Sequence, residues 1–112
     1  MAKSKPWTQA ECDACIKAYN VMLTGETVGA AVNKAAINRY LRGDETGAQP
    51  SEQQAMHIEQ GALSDRSRGS IELKCMNISA ARKSLDLPTI SGYKPLPNMQ
   101  ALLKNRVRDL SQ

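Results

Sequence analysis

The chain has 112 residues, a formal net charge of +4 and only 4% aromatic residues. This length suits one helical domain that needs neither disulfides nor metal, and the scarcity of aromatics leaves mainly Leu, Ile, Val, Met and Ala for its core. No apolar run approaches the ~18 residues of a membrane span, so we expect a cytoplasmic protein with no membrane partner, no cofactor and reduced cysteines.

The charge is unevenly distributed along the chain. Residues 1–65 hold 6 Lys and Arg against 8 Asp and Glu, whereas residues 66–112 hold 9 against 3. A basic part beside a weakly acidic part is typical of a chain with a face for polyanions. Double-stranded DNA is therefore the partner that we expect, with RNA and acidic proteins as alternatives.

The first two helices are predicted from capping signals and helical spacing. A capping box of Thr8 and Glu11, preceded by Trp7 as a hydrophobic staple, predicts a helix that closes near Gly25. Its apolar face holds Cys12, Cys15, Ile16, Tyr19, Met22 and Leu23. A second helix is predicted over residues 32–41, with Gly43 as its C-terminal stop.

The rest of the chain alternates between loops and helices. Residues 43–50 have the composition of a solvated loop, and a weaker third helix is predicted from Ser51 to about Leu63. A fourth helix follows and must end before Pro88. Residues 88–97 form an irregular Pro/Gly arm pinned by Tyr93, and a final helix spans 98–110 with Asn98 as its cap. We therefore predict a single all-α domain over residues 1–112, with four or five helices.

Residues 66–79, RSRGSIELKCMNIS, predict a DNA-binding element. Ser67 is placed to cap the helix, so that the amides of the first turn form an anion site beside basic side chains. A lysine suits phosphate and an asparagine can read an adenine edge. The predicted DNA-binding residues are Arg66, Ser67, Arg68, Gly69, Ser70, Lys74, Asn77 and Lys94. Lys34 and Arg39 are expected to be weaker peripheral contacts.

Two segments resemble a Myb/SANT-like helix-turn-helix: Trp7-Thr8-x-x-Glu11 and Arg66-Ser67-x-x-Ser70-Ile71. Residues 66–95 are also similar to a helical module at the N-terminus of bacterial HNH-type and other restriction-like nucleases. The matching residues are Arg66, Ser67, Gly69, Ser70, Ile71, Glu72, Lys74, Asn77, Ile78, Ser79, Leu87-Pro88 and Gly92-Tyr93-Lys94-Pro95. This resemblance implies a non-enzymatic, accessory DNA-binding module from restriction–modification or phage defence, with a nuclease or other defence protein as a further partner.

Three alternatives stay open at this stage. The first is a protein-interaction module of a phage or defence system, for example an inhibitor. The second is a Mg²⁺-dependent nuclease built on Glu72-x-Lys74 with Asp65 as the second carboxylate, which would require a strand there. The third is a structural zinc site.

The zinc alternative would use Cys12, Cys15, Cys75 and His57, since three thiolates and one imidazole are a common zinc ligand set. Both early cysteines fall on the apolar face of the first predicted helix, where cysteine commonly acts as a small hydrophobe. We therefore predict that no metal is needed. The sequence leaves the oligomeric state open.

Overall fold

The computed structural model describes residues 5–111, which form five α-helices and no strand. The helices are α1 (Gln9–Thr27), α2 (Lys34–Leu41), α3 (Glu52–Ala55), α4 (Arg68–Ser84) and α5 (Ala101–Leu110). The prediction of an all-α fold is confirmed. Helices α1, α4 and α5 pack against one another, and α2 packs against α1 and α4. None of these described helices is both long enough and apolar enough to cross a membrane.

Helix α1 starts with the predicted capping box. The Thr8 hydroxyl accepts from the Glu11 amide at 3.2 Å, and the Glu11 carboxylate accepts from the Thr8 amide at 3.0 Å. The helix continues through Gly25 and ends at Thr27. A side chain at Gly25 would place its Cβ 2.6 Å from Cγ2 of Val32. The glycine is therefore a contact point for the chain that follows, and the predicted end near Gly25 is two residues early.

Helix α2 is shorter than predicted at its start. Asn33 caps it by accepting from the Ala36 amide at 3.0 Å, so the helix begins at Lys34. It ends at Leu41, and the predicted stop at Gly43 adopts a φ of +73°. Because Ile37 and Leu41 are buried, α2 presents its apolar side to the core.

The prediction of a third helix through Leu63 is wrong. Ser51 does cap α3, accepting from the Gln54 amide at 3.2 Å, but the helix ends at Ala55. Beyond it the chain turns back on α2: the Gly61 amide donates to the Tyr40 carbonyl at 3.0 Å, and the Leu63 amide donates to the Leu41 carbonyl at 2.8 Å. Two amides of this segment are thus bonded to the end of α2, and the others form local turns rather than a continued helix.

Helix α4 lies at the centre of the molecule. Ser67 caps it as predicted, accepting from the Ser70 amide at 3.1 Å, and the helix ends at Ser84, before Pro88. Ile71, Cys75 and Ile78 are each at most 1% exposed. The predicted apolar face of this helix is therefore a central wall of the core.

The chain between α4 and α5 is an ordered arm. Ile90 and Tyr93 are buried, and the Tyr93 ring lies 6.2 Å from the Tyr19 ring, so the predicted pinning of the arm by Tyr93 is confirmed. Helix α5 begins at Ala101 instead of residue 98, because Gln100 and not Asn98 holds the cap position. The helix buries Leu103 and Val107.

Candidate functional site

Arg66 is buried at the junction of α1 and α4. Its guanidinium donates to both carboxylate oxygens of Glu11 at 2.8 Å, and to the carbonyls of Lys5 at 2.6 Å and Pro6 at 3.0 Å. It also lies 5.0 Å from the centre of the Trp7 ring. The hydrogen bonds from Arg66 lower the pKa of Glu11 to about 2. Arg66 therefore ties residues 5–7 to the start of α4.

Lys74 also lies over the ring of the same tryptophan. Its ammonium lies 4.7 Å from the centre of the Trp7 ring and donates to the Gln100 side-chain oxygen at 3.3 Å. The residue is only 8% exposed, and burial lowers the pKa of Lys74. Its charge is thus directed at an aromatic face and an amide inside the protein.

Asn77 holds the arm. Its side-chain amide donates to the carbonyl of Leu96 at 2.5 Å and to that of Asn98 at 3.2 Å. Since the residue is 7% exposed, both donors serve the fold. This arrangement also explains why Asn98 does not cap α5: its backbone is turned towards α4.

Two further polar residues of α4 have the same role and were not predicted. The Ser79 hydroxyl lies 2.7 Å from the Tyr19 hydroxyl, which in turn accepts from the Ile90 amide at 3.0 Å. Arg82 donates to the Pro88 carbonyl at 2.6 Å and to the Ser111 hydroxyl at 3.1 Å. The sequence could have indicated this role, because Ser79 and Arg82 each lie four residues after a position on the apolar face of α4. A polar residue at helical spacing on a buried face needs an internal partner.

The remaining predicted residues lie at the surface. Arg68 is exposed and forms an ion pair with Glu72 at 3.0 Å. Gly69 has open space where a side chain would lie, Ser70 is half-buried, and the Ser67 hydroxyl is used by the helix cap. The start of α4 is therefore open to solvent. Lys94 is exposed on the arm beside Tyr93.

The two peripheral residues contact other parts of the protein. The Lys34 ammonium lies 5.8 Å from the centre of the Tyr93 ring. The Arg39 side chain donates to the Ala48 carbonyl at 2.9 Å and so holds the loop between α2 and α3. Both side chains remain partly exposed.

In the described part of the chain, exposed and half-buried side chains carry equal numbers of positive and negative charges, while three buried cations add to the net charge. Of the 15 Lys and Arg residues, Lys3 lies outside the described residues, and Arg66, Lys74 and Arg82 are buried. The other 11 equal the 11 Asp and Glu, all of which are at least partly exposed. An excess remains only in residues 66–111, where six exposed or half-buried Lys and Arg accompany three Asp and Glu.

The residues of the nuclease alternative are separated. Residues 70–75 lie within α4, so the strand that this chemistry would use is not formed. Glu72 is at the surface with Arg68, whereas the Lys74 ammonium lies against Trp7. Glu72 and the Lys74 ammonium are therefore not placed together as this chemistry would require.

The residues of the zinc alternative are also divided. Cys12, Cys15 and Cys75 are buried, with the Cys15 and Cys75 sulfurs 3.9 Å apart. The hydrogen bond to Cys75 and burial raise the pKa of Cys15, which favours its neutral thiol. His57 is exposed in another part of the fold. Among residues 5–111, no group of three or more His, Cys, Asp or Glu is placed to hold a metal ion.

A groove that the sequence did not indicate lies beside α1. It encloses about 1230 Å³ between the second half of α1, the turn after it and residues 51–59. Val28, 71% exposed, and Met56, 78% exposed, both line it. Its other lining residues are Lys17, Asn20, Val21, Thr24, Gly25, Ala30, Ala31, Ser51, Gln53, Gln54, His57, Ile58 and Glu59.

The walls of the groove are fixed by hydrogen bonds. Gln54 donates from its side chain to the Ala31 carbonyl at 3.1 Å, which joins α3 to the turn after α1. The Ala30 amide donates to the Gly25 carbonyl at 2.8 Å and closes that turn. These two hydrogen bonds join the segments that form the walls of the groove. The groove was not predicted, because the predicted third helix continued through residues 56–59, which in the structure leave the helix and line the groove.

No protein-family model, curated protein or solved structure matches this chain. The buried polar side chains of α4 and the groove beside α1 are thus the features from which a function is inferred.

Proposed function

We propose that the protein is a non-enzymatic protein-interaction module that binds an apolar segment of a partner in the groove beside α1. The observation that carries this proposal is the position of Val28 and Met56, two of the most exposed large apolar side chains among the described residues, in one groove. Exposed apolar side chains that converge on a concave surface are typical of interaction sites.

The polar rim of the groove favours a peptide over a small apolar ligand. Lys17 and Glu59 supply one charge of each sign, and Asn20, Gln53 and His57 supply hydrogen-bonding groups. A protein interface commonly surrounds apolar contacts with such a rim. By the resemblance of residues 66–95, the partner would be a nuclease or other protein of restriction–modification or phage defence.

The polar residues of α4 support the same proposal. Arg66, Lys74 and Asn77 each have partners within the protein, so the motif that contains them is explained by folding. The net charge of +4 is modest, and an interface of mixed polarity needs no long-range attraction of a polyanion.

Selection from a displayed random-peptide library, followed by methyl NMR of the complex, tests the groove. We expect selected peptides to be rich in apolar residues and to shift the methyl signals of Val21, Val28, Met56 and Ile58. The double variant Val28→Glu/Met56→Glu should lose at least about tenfold in affinity, because it places a charge at each of the two exposed apolar residues of the groove.

Leu73→Glu is the matched control, since it charges an exposed apolar residue that is not in the groove. It should bind the selected peptides as the wild type does. Peptides that shift only signals outside the groove, or that bind the double variant unchanged, would exclude this proposal.

A second candidate function is binding of double-stranded DNA by a Myb/SANT-like helix-turn-helix. The observation that favours it is the open start of α4, where Arg68 is exposed beside the amide of Gly69. The excess of exposed cations in residues 66–111, which includes Lys94, is also consistent with phosphate contacts. Arg66, Lys74 and Asn77 would then position the helix rather than contact DNA.

Fluorescence anisotropy with a short labelled duplex at several salt concentrations tests the second candidate. Arg68→Ala should weaken binding to every sequence and lower the salt slope by about one, as expected for one lost phosphate contact. Lys17→Ala, which removes one exposed cation outside residues 66–111, is the control for altered net charge. Absence of binding by the wild type at low salt would leave the groove as the functional surface.

A further inference from the structure

Helix α4 has an apolar outer face in addition to its buried one. Gly69, Leu73, Met76 and Ala80 follow one another at spacings of four, three and four on the outer side of the helix, and Met76 also packs against the edge of the core. Leu73 is 52% exposed, whereas Met76 and Ala80 are half-buried. A surface helix normally places polar residues on its outer side, so an apolar outer face indicates that something covers it.

We infer that this face is the interface of a two-fold homodimer in which the α4 helices of two copies pack antiparallel. The partner is a second copy because the charges beside the apolar stripe complement themselves. Along one edge, Arg68 and Glu72 lie in the first turns and Lys83 lies in the last turn, and Asp86 follows just beyond the helix in a left-handed turn. The order of charges is positive, negative, positive, negative.

Antiparallel packing pairs every one of these charges with its opposite. A two-fold axis perpendicular to the helices brings the same edge of both copies together, with the order of residues reversed. Glu72 then lies opposite Lys83 of the second copy, and Arg68 opposite its Asp86. No described residue forms an ion pair with Lys83 or Asp86 within one copy, so both are available.

The other edge of the face is complementary in shape. A crevice of about 300 Å³ opens beside α4, lined in part by Ala80, Ser84, Pro97 and Met99. Leu73 and Ser84 are eleven residues apart, about three turns, and therefore lie on the same edge. The register that pairs Glu72 with Lys83 places Leu73 level with the Ala80 and Ser84 of the second copy. Each copy thus offers a projecting leucine and a crevice at the matching height.

A parallel pair of α4 helices fits neither observation. In that arrangement a two-fold axis along the helices brings opposite edges together, so the charged edge would meet the crevice edge. The groove beside α1 shares no residue with this interface. The dimer would cover Gly69 and engage Arg68, so DNA contact at the start of α4 would compete with it.

Sedimentation velocity over a range of protein concentrations at low salt tests the homodimer. We expect the mass to rise from the 12.2 kDa of one chain towards twice that value. Leu73→Glu should remain monomeric throughout. Lys83→Glu and Glu72→Lys should each raise the dissociation constant about tenfold or more, because each creates two like-charge contacts across the axis.

Recovery of dimerisation in a charge-exchanged double variant is the decisive measurement. The double variant Glu72→Lys/Lys83→Glu exchanges the charges and should return the dissociation constant close to the wild-type value. Glu45→Lys, a charge reversal in the exposed loop after α2, should leave it unchanged. Circular dichroism melting verifies that each variant folds. A wild type that stays monomeric up to its solubility limit, a dimer that survives Leu73→Glu, or a double variant that is not restored would each overturn the inference.

Discussion

Arg66 and Glu11 show how one ion pair can serve as a structural joint. The pair joins the first turn of α1 to the segment just before α4. Arg66 also donates to two carbonyls of the chain that precedes α1. Removing one partner of such a pair leaves the other buried without its counter-charge, which typically costs about 3–5 kcal/mol. The pair is therefore a point where stability depends on pH.

The protein should lose stability in acid through Glu11. Its pKa is lowered from 4.5 to about 2 by the hydrogen bonds from Arg66, so the carboxylate contributes stability above pH 4.5 that is lost as the pH falls towards 2. Urea unfolding followed by circular dichroism measures this contribution. The variant Glu11→Gln should be less stable than the wild type at neutral pH, and the difference should shrink across this range.

Glu45→Gln serves as the comparison, because Glu45 is an exposed loop residue and forms no ion pair with the described residues. A difference between wild type and Glu11→Gln that stays constant from neutral pH to pH 2 would show that Glu11 does not carry the acid sensitivity.

At the scale of elements, the arm between α4 and α5 depends on α4 for its position. Asn77 donates to two of its carbonyls, Arg82 donates to a third, and Tyr19 accepts from the Ile90 amide. These bonds replace the regular backbone pairing that the arm lacks. A buried carbonyl that loses its donor typically costs about 1–3 kcal/mol.

Asn77→Ala should therefore lower the free energy of unfolding by about 1–3 kcal/mol. Hydrogen exchange measured by NMR should show faster exchange of the Leu96 amide, which donates to the Met76 carbonyl at 3.0 Å. The amides in the middle of α1 should be affected much less. If the variant keeps wild-type stability and exchange but loses DNA binding, Asn77 contacts DNA after all.

The contact between α1 and the turn after it depends on Gly25. Gly25→Ala would bring its Cβ to 2.6 Å from Cγ2 of Val32, so a side chain must move, and overpacking of this kind typically costs about 1–3 kcal/mol. Thermal unfolding should show a lower melting temperature. The double variant Gly25→Ala/Val32→Ala should recover part of the loss, whereas no recovery would place the strain elsewhere.

Local sequence signals predicted where α1 and α4 begin, but they could not predict which distant residues the side chains of these helices contact. The caps at Thr8 and Ser67 lie within three residues of the groups that they bind, so sequence alone located α1 and α4. Arg66 binds residues at least 55 positions away and Asn77 binds residues 19 and 21 positions away. The spacing of residues on one helix cannot distinguish such internal partners from DNA. It also cannot reveal the groove, which lies where α3 ends earlier than predicted.

At the scale of the whole molecule, the core is closed by packing and internal hydrogen bonds. The three cysteines are buried among apolar side chains, and His57 lines the groove instead. We therefore expect a chelator to leave the helical circular dichroism and the melting temperature unchanged. A stoichiometric metal content in purified protein, lost together with the helical signal on chelation, would contradict this prediction.

Trp7 gives the protein an internal optical reporter. It is the only tryptophan, and it is buried against the cations of Arg66 and Lys74, with Gln100 donating to its carbonyl at 3.4 Å. One indole thus senses the segment before α1, the helix α4 and the start of α5 at once. Its emission will shift to longer wavelength as soon as any of these three separates, so local opening at this junction can be followed by fluorescence without an added label.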